Sequence, residues 1–297
     1  MKIIVTGSLG RTGKPLATEL IQKGHSVTVI SSNSERQKDI EALGATAAIG
    51  SLEDADFLSS TFAGADAVYA IVPPDLAAID SRAYYQKIGN SYAQAIQNSG
   101  VKRVVHLSSW GADLDKGTGF IVGSHDIEGI LDKLPADVAV THLRAAFIYY
   151  NLYLFIEPIK HTGVIATNYG GDDVVVMVDA KDIAAAAAEE LQSSATGKNV
   201  RYVASDERTA DDVAAVLGDA IGEPDLKWEI LTDDQMRDNM LQHGAPPQMA
   251  AGLVELNAAI HSGIMREGYL QNKPTVMGKV KIEDFAREFA AAFKRAS

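Results

Sequence analysis

The stretch that decides the fold is Lys2-Ile3-Ile4-Val5-Thr6-Gly7-Ser8-Leu9-Gly10-Arg11-Thr12-Gly13. Residues 2 to 6 form an apolar run closed by glycine, the pattern of a parallel strand buried on both faces. The glycines that follow are spaced G-x-x-G-x-x-G, a variant of the G-x-G-x-x-G turn. Gly7 allows the tight exit from the strand, Gly10 lets the backbone approach a pyrophosphate, and Gly13 permits close packing of the next helix on the strand. Leu16, Ala17, Leu20 and Ile21 then share one helical face, with Pro15 in the first turn, where it costs little. Free N–H groups and the positive dipole end of that helix favour an anion. Gly7, Ser8, Leu9, Gly10, Arg11, Thr12 and Gly13 are therefore expected to hold a dinucleotide pyrophosphate. A tight turn without a ligand is the alternative.

Working outward, further strands are expected at 26–30, 45–49, 66–72, 103–107 and 139–143. Helical stretches lie between them at about 34–43, 53–62 and 80–98. Such alternation implies βαβ units and a doubly wound parallel sheet, an α/β Rossmann arrangement. The second half reads differently. Residues 149–172 are rich in aromatics and glycine and show no long period. Asp179 can cap a helix through the alanines at 184–188. Asn199 to Val203 is a short strand. Thr209 and Asp212 have capping-box spacing, and helices follow near 233–243 and 246–263. Phe285, Phe289 and Phe293 form one stripe on the last helix, which suits core packing. Residues 1–150 are expected to form the nucleotide-binding core, with 174–206 returning to it. Residues 151–173 and 207–280 would make a small C-terminal α/β cap, and 281–297 a terminal helix.

Composition narrows the function. A formal charge of -12 over 297 residues argues against direct nucleic-acid binding, which leaves a basic footprint. The chain has no cysteine, so thiolate catalysis, disulfides and zinc–cysteine sites are excluded. The histidines show no H-x-x-x-H pair, and no metal site is expected. No G-x-S-x-G supports a hydrolase. The first apolar run is too short for a signal peptide, and no stretch approaches the ~20 apolar residues of a membrane span. A cytoplasmic protein is expected.

The end of the second strand reads Ser31-Ser32-Asn33-Ser34-Glu35-Arg36. An NAD site usually places an acid there to bind the ribose hydroxyls. Here hydroxyls and an amide stand in its place, with Arg11 and Arg36 available for a 2′-phosphate. Ser31, Ser32, Asn33 and Arg36 thus point to NADP, with NADPH preferred over NADH. The same residues also suit the capping of the next helix.

The T-G-x-x-G-R-T-G turn resembles that of the NmrA-like group of atypical short-chain dehydrogenases/reductases, in particular its quinone-reductase-like branch. Gly50-Ser51-Leu52-Glu53-Asp54 resembles the group's G-D-L-x-D, and Ile71-Val72-Pro73-Pro74 its loop after the fourth strand. Val104 to Ser109 resembles its fifth strand, Leu143 to Asn151 its L-R-P-x-x-F-x-x-N, and Asp179 to Ala184 its V-D-x-x-D-I-A. The resemblance implies further cofactor contacts from Ser51, Leu52, Ile71, Val72, Pro73, Ser108 and Phe147. It also implies one of two roles: reduction of quinones or other carbonyl compounds, or cofactor-dependent regulation of a protein partner. A sugar-nucleotide epimerase is a third option.

The wider superfamily uses Tyr-x-x-x-Lys as its acid. That motif would place Ile121 at the tyrosine and His125 at the lysine, and Tyr84 and Tyr85 before Lys87 have the wrong spacing. The standard relay is therefore not expected. A quinone tolerates this, because its reduced anion is stabilised by aromaticity. His125, in a His…Glu pair with Glu128, can donate a proton near neutral pH; it can equally serve as a ribose contact. Ser109 can polarise an acceptor or satisfy local backbone. Trp110, Tyr149, Tyr150 and Asn151, with Tyr153 nearby, can wall an aromatic acceptor pocket or pack as core. A small-molecule acceptor is expected, with a homodimer or a protein partner also possible.

Overall fold

The structure, a computed structural model, describes residues 1–75, 78 and 80–295. The first half alternates strands β1 (Lys2–Val5), β2 (Ser26–Ser31), β3 (Thr46–Ile49), β4 (Ala67–Ala70), β5 (Arg103–Ser109) and β6 (Ala139–Ala145) with helices α1 (Gly13–Gln22), α2 (Gln37–Ala42), α3 (Ala55–Phe62), α4 (Ser81–Ser99) and α5 (Val122–Leu131). There follow β7 (Phe147–Ile148), α6 (Ile156–Thr162), β8 (Val164–Thr167), β9 (Val174–Val178), α7 (Ala180–Leu191), β10 (Lys198–Val203), β11 (Asp206–Thr209), α8 (Ala210–Ile221) and β12 (Lys227–Ile230). The chain closes with α9 (Asp233–Gln242), α10 (Pro247–His261), α11 (Ile264–Gln271) and α12 (Ile282–Arg295). Ala296 and Ser297, the end of the expected terminal helix, lie outside the described residues.

Seven strands form one sheet in the order β10-β6-β5-β4-β1-β2-β3. The registers β1–β2, β2–β3, β1–β4 and β4–β5 are parallel, with Ile3 opposite Val27 and Val5 opposite Tyr69. This is the doubly wound α/β sheet. The chain winds outward from β1 through β2 to β3, then returns to lay β4 on the other side of β1. The strand order therefore reverses between β1 and β4, and ligands of open α/β sheets bind at the carboxyl ends of such a switch point.

Contacts divide the chain into two units. The first comprises 1–112, 123–144 and 183–201; the second comprises 113–122, 145–182 and 202–297. In the first, Ile4, Val68, Val104 and Val140 of the sheet pack with Phe62, Tyr92, Ile96 and Ile127 of α3, α4 and α5. Ile3 and Val5 alternate to the opposite face and are also fully buried. Burial on both faces is why β1 reads as an unbroken apolar run. In the second unit, β11 pairs antiparallel with β9, β9 pairs with β7, and β12 pairs with β8. Thr209 and Asp212 form the capping box expected at the start of α8.

Segment 149–172, which shows no long period in the sequence, holds a 3-10 helix at Tyr149–Phe155, then α6 and β8. Elements of seven and four residues are too short to display a period. The stripe Phe285 and Phe289 is buried and stacks with Tyr149 and Tyr153.

The switch point is fastened by side chains. Thr6 Oγ1 accepts from the Ile71 amide at 2.9 Å, and the Tyr92 hydroxyl lies 2.9 Å from the same oxygen. Tyr92 also donates to the Ile71 carbonyl at 2.8 Å. Burial pushes the Tyr92 hydroxyl up, so it stays protonated and remains a donor. Thr6→Val keeps the shape but removes the acceptor. It should cost about 1–3 kcal/mol, the penalty for buried polar groups left unpaired, read as a lower urea midpoint at unchanged m. An unchanged midpoint would show that the ring contributes nothing to stability.

Candidate functional site

The glycine turn occupies the carboxyl end of β1, beside the loop that leaves β4. Gly7 has φ +86°, and a Cβ there would lie 2.4 Å from Ile71 Cγ2. At Gly13 a Cβ would lie 2.3 Å from the Ser8 carbonyl oxygen. Gly13 is thus required by the loop folding back on its own helix, rather than by helix–strand packing as expected. The Ser8 amide donates to the Ile30 carbonyl at 2.9 Å, and the Lys14 amide to that of Gly10 at 3.1 Å. The N-cap of α1, Thr12, makes no side-chain capping bond, and the first turn of α1 holds no acid. By contrast, Asp54, Asp80, Thr209 and Thr232 cap α3, α4, α8 and α9. The first N–H groups of a helix have no intrahelical partner, and here no carboxylate competes with an anion for them. The cradle fits a pyrophosphate.

At the end of β2, Ser31 is buried and Ser32, Asn33 and Arg36 are exposed. Asn33 Oδ1 accepts from the Glu35 amide at 2.9 Å, so this residue does cap the helical turn at 34–36. Arg36 reaches Asp39 at 3.4 Å on the surface. Arg11 is exposed, at the opening of α1. Ser51 is exposed and Leu52 half-buried beyond β3; Ile71 and Pro73 are half-buried and Val72 buried beyond β4. The first unit therefore gathers 7–13, 31–36, 50–52 and 71–73 along one edge of its sheet.

At the end of β5, a buried charge cluster dominates. Ser108 Oγ donates to Glu128 Oε1 at 2.6 Å. Arg144 Nε donates to the same oxygen at 3.1 Å, and its Nη2 to Oε2 at 2.7 Å. This fork is the strong bidentate geometry, between side chains 13% and 8% exposed. It ties the ends of β5 and β6 to α5. One helical turn earlier, His125 Nδ1 lies 2.9 Å from the Ala112 carbonyl oxygen. A carbonyl only accepts, so Nδ1 carries the hydrogen and Nε2 is the nitrogen that can gain or lose a proton. Ser109 is half-buried and Trp110 is buried. His125 also lines a groove of about 340 Å³ between α4 and α5, with Gln86, Asn90 and Lys133. Beside it, Asp126 is held below the usual carboxylate range, first by its bond from Arg82.

In the second unit, Tyr149 is buried and stacked on Phe285 at 5.3 Å, while Tyr150 and Asn151 are exposed. Phe147 is half-buried on β7. A literal Tyr-x-x-x-Lys that sequence reading missed lies at Tyr269-Leu270-Gln271-Asn272-Lys273. Its spacing alone could have flagged it. The structure gives it a different task. The Tyr269 hydroxyl donates to Glu207, and Lys273 Nζ bonds the other oxygen of that carboxylate at 2.8 Å. Burial, then Glu207, pushes the tyrosine up, the opposite of what a proton-donating tyrosine requires. Among the described residues no cluster of three or more His, Asp or Glu could hold a metal, and no helix is long and apolar enough to cross a membrane.

Comparison with known proteins gives a consistent picture. The model of the NmrA-like family matches residues 1–258. An NAD(P)H azoreductase of Xenophilus azovorans is 25% identical over 294 residues, spanning 98% of this chain and 99% of its own. Among solved structures, an NADPH-dependent quinone oxidoreductase from Escherichia coli superimposes with a TM-score of 0.77 at 20% identity, covering 96% of this chain and 98% of that one. A Citrobacter sp. triphenylmethane reductase complexed with NADP(H) gives 0.75 at 19% identity, covering 97% and 99%. At these identities the superpositions establish the fold.

The cradle makes a direct prediction. Gly13→Ala drives a methyl into the Ser8 carbonyl and should weaken dinucleotide binding by about tenfold or more, ~1.4 kcal/mol of lost positioning. Gly129→Ala, where a Cβ meets nothing within 4 Å, should leave binding unchanged and stabilise α5 by about 0.5–1 kcal/mol. Titration of nucleotide fluorescence reads the first effect and thermal unfolding the second.

Proposed function

Because the chain belongs to the NmrA-like family, we propose that it is an NADP(H)-dependent oxidoreductase that reduces a quinone, an azo compound or a related small conjugated acceptor by hydride transfer. The observation that carries this reading is the glycine cradle at the β1/β4 switch point, where Gly7 and Gly13 leave no room for a Cβ and the start of α1 is uncapped and acid-free, open to an anion. The relatives' names supply the acceptor classes, an azo compound for the azoreductase and a quinone for the quinone oxidoreductase.

The absence of an acid at the end of β2 supports NADP over NAD. A carboxylate there would repel a 2′-phosphate; Ser32, Asn33, Arg36 and Arg11 offer donors instead. A bound nicotinamide supplies the hydride. His125, with Nδ1–H fixed on Ala112, presents Nε2, which in the imidazolium form carries the proton that can be handed over, leaving the neutral ring. Ser109, at the end of β5, is the neighbouring hydroxyl available to an acceptor oxygen or nitrogen. The Ser108–Glu128–Arg144 cluster fixes the ends of β5 and β6 against the helix that carries His125.

The acceptor classes differ in how much they need that proton. Hydride addition to a quinone gives a hydroquinone anion stabilised by aromaticity, which water protonates. Hydride addition to an azo nitrogen leaves the other nitrogen strongly basic, and a positioned acid matters more. Steady-state oxidation of NADPH and NADH with quinone and azo panels tests the reading. Turnover with NADPH favoured is expected. His125→Ala should lower azo turnover on the order of a hundredfold and quinone turnover much less. Tight nucleotide binding with no turnover on any acceptor would contradict the enzyme reading and favour a cofactor-sensing regulator acting through a protein partner.

A further inference from the structure

Ser31 stands where three nucleotide-facing segments meet. It is 3% exposed, the last residue of β2, and bonded to all three. Toward the pyrophosphate turn, Ser8 Oγ donates to Ser31 Oγ at 3.1 Å. Toward the loop after β2, the Asn33 amide donates to Ser31 Oγ at 3.1 Å, and Ser31 Oγ donates back to the Asn33 carbonyl at 3.2 Å. Toward the loop after β3, the Gly50 amide donates to the Ser31 carbonyl at 3.0 Å. A serine hydroxyl has one hydrogen and two acceptor sites. All are used here inside the protein, so none is left for a ligand.

Ser8 adds an independent observation. At φ +58° it is the one non-glycine residue in the left-handed region among the described residues. Serine in that conformation carries a steric cost that glycine would avoid. What serine provides and glycine lacks is the hydroxyl that reaches Ser31.

We propose that Ser31 is a specificity-setting positioning residue: it does not touch the nucleotide, but locks the pyrophosphate turn to the loop carrying Ser32, Asn33 and Arg36, so that one pose satisfies both the pyrophosphate and the 2′-phosphate. This rests on the reading of the glycine turn and the 31–36 loop as the dinucleotide site. A 2′-phosphate gains from Ser31 because it must be met at a fixed distance from the pyrophosphate. NADH carries only the smaller, neutral ribose 2′-hydroxyl at that position, which depends less on a fixed loop.

The test measures dissociation constants for NADPH and NADH on the wild-type protein, Ser31→Ala, Ser31→Thr and Ser8→Ala. Ser31→Ala should weaken NADPH by roughly tenfold, the value of one lost hydrogen-bond hub. NADH should weaken by no more than about threefold, so the NADPH/NADH ratio falls. Ser31→Thr keeps the hydroxyl and should hold the wild-type ratio. Ser8→Ala removes the incoming donor and, since a lost pyrophosphate contact would weaken both nucleotides alike, should still lower the ratio in the same direction, which keeps the test open if Ser31→Ala does not fold. Equal weakening of both nucleotides by Ser31→Ala, or an unchanged ratio, would overturn the proposal. So would a ratio lost equally in Ser31→Thr. A wild-type protein that binds NADH more tightly would refute the proposed NADP preference; the effect of Ser31 is read from the change in the ratio, so the two failures are distinct.

Discussion

The hydrogen-bonded ring of Thr6, Ile71 and Tyr92 ties together the exits of the two central strands where the winding of the sheet reverses. Thr6 directly follows β1 and leads into the glycine turn; Ile71 begins the loop that leaves β4. Tyr92 comes from α4 and bonds the Ile71 carbonyl and Thr6. The crevice of a doubly wound sheet exists because consecutive connections leave opposite faces there. The ring fastens the two segments that leave the strand ends at its mouth. Gly7 and Ile71 meet at the same place, since Ile71 Cγ2 occupies the volume that a Cβ would need.

A second constraint acts further along the same edge. Glu128 and Arg144 are buried charges, and a buried pair is not by itself a source of net stability, because desolvation offsets much of the Coulombic gain. What this pair does provide is geometry. The fork fixes two side chains in one plane, Ser108 adds a third bond, and α5 is thereby registered against β5 and β6. His125, one turn away, receives its tautomer from the Ala112 carbonyl. The proposed proton donor is thus oriented by backbone and held by a helix that cannot slide without exposing a charge.

Much of this was legible in the sequence. The run at 2–6 could be read because burial on both faces demands unbroken apolarity, and the glycine turn because a left-handed exit and two close approaches leave little besides glycine. The capping box of Thr209 and Asp212 is local and has a fixed spacing. Other features are not local. The saturation of the Ser31 hydroxyl depends on Ser8, 23 residues away in sequence, and no pattern in either segment announces it. The Tyr269–Lys273 pair shows the reverse problem. Its spacing matches a proton relay, but burial first, and then Glu207 bonded to both groups, holds the tyrosine in its protonated form. The elements between 149 and 172 escaped because periodicity needs length.

The central claim is that the N-terminal glycine turn is the pyrophosphate cradle of a nicotinamide dinucleotide. A crystal structure of the protein grown with NADPH tests it most directly. The pyrophosphate is expected within hydrogen-bonding distance of backbone N–H groups between Leu9 and Gly13, with the 2′-phosphate over Ser32 to Arg36 and the Ser31 hydroxyl still bonded to Ser8. Nucleotide density elsewhere on the chain, with this turn making no contact to phosphate, would contradict it.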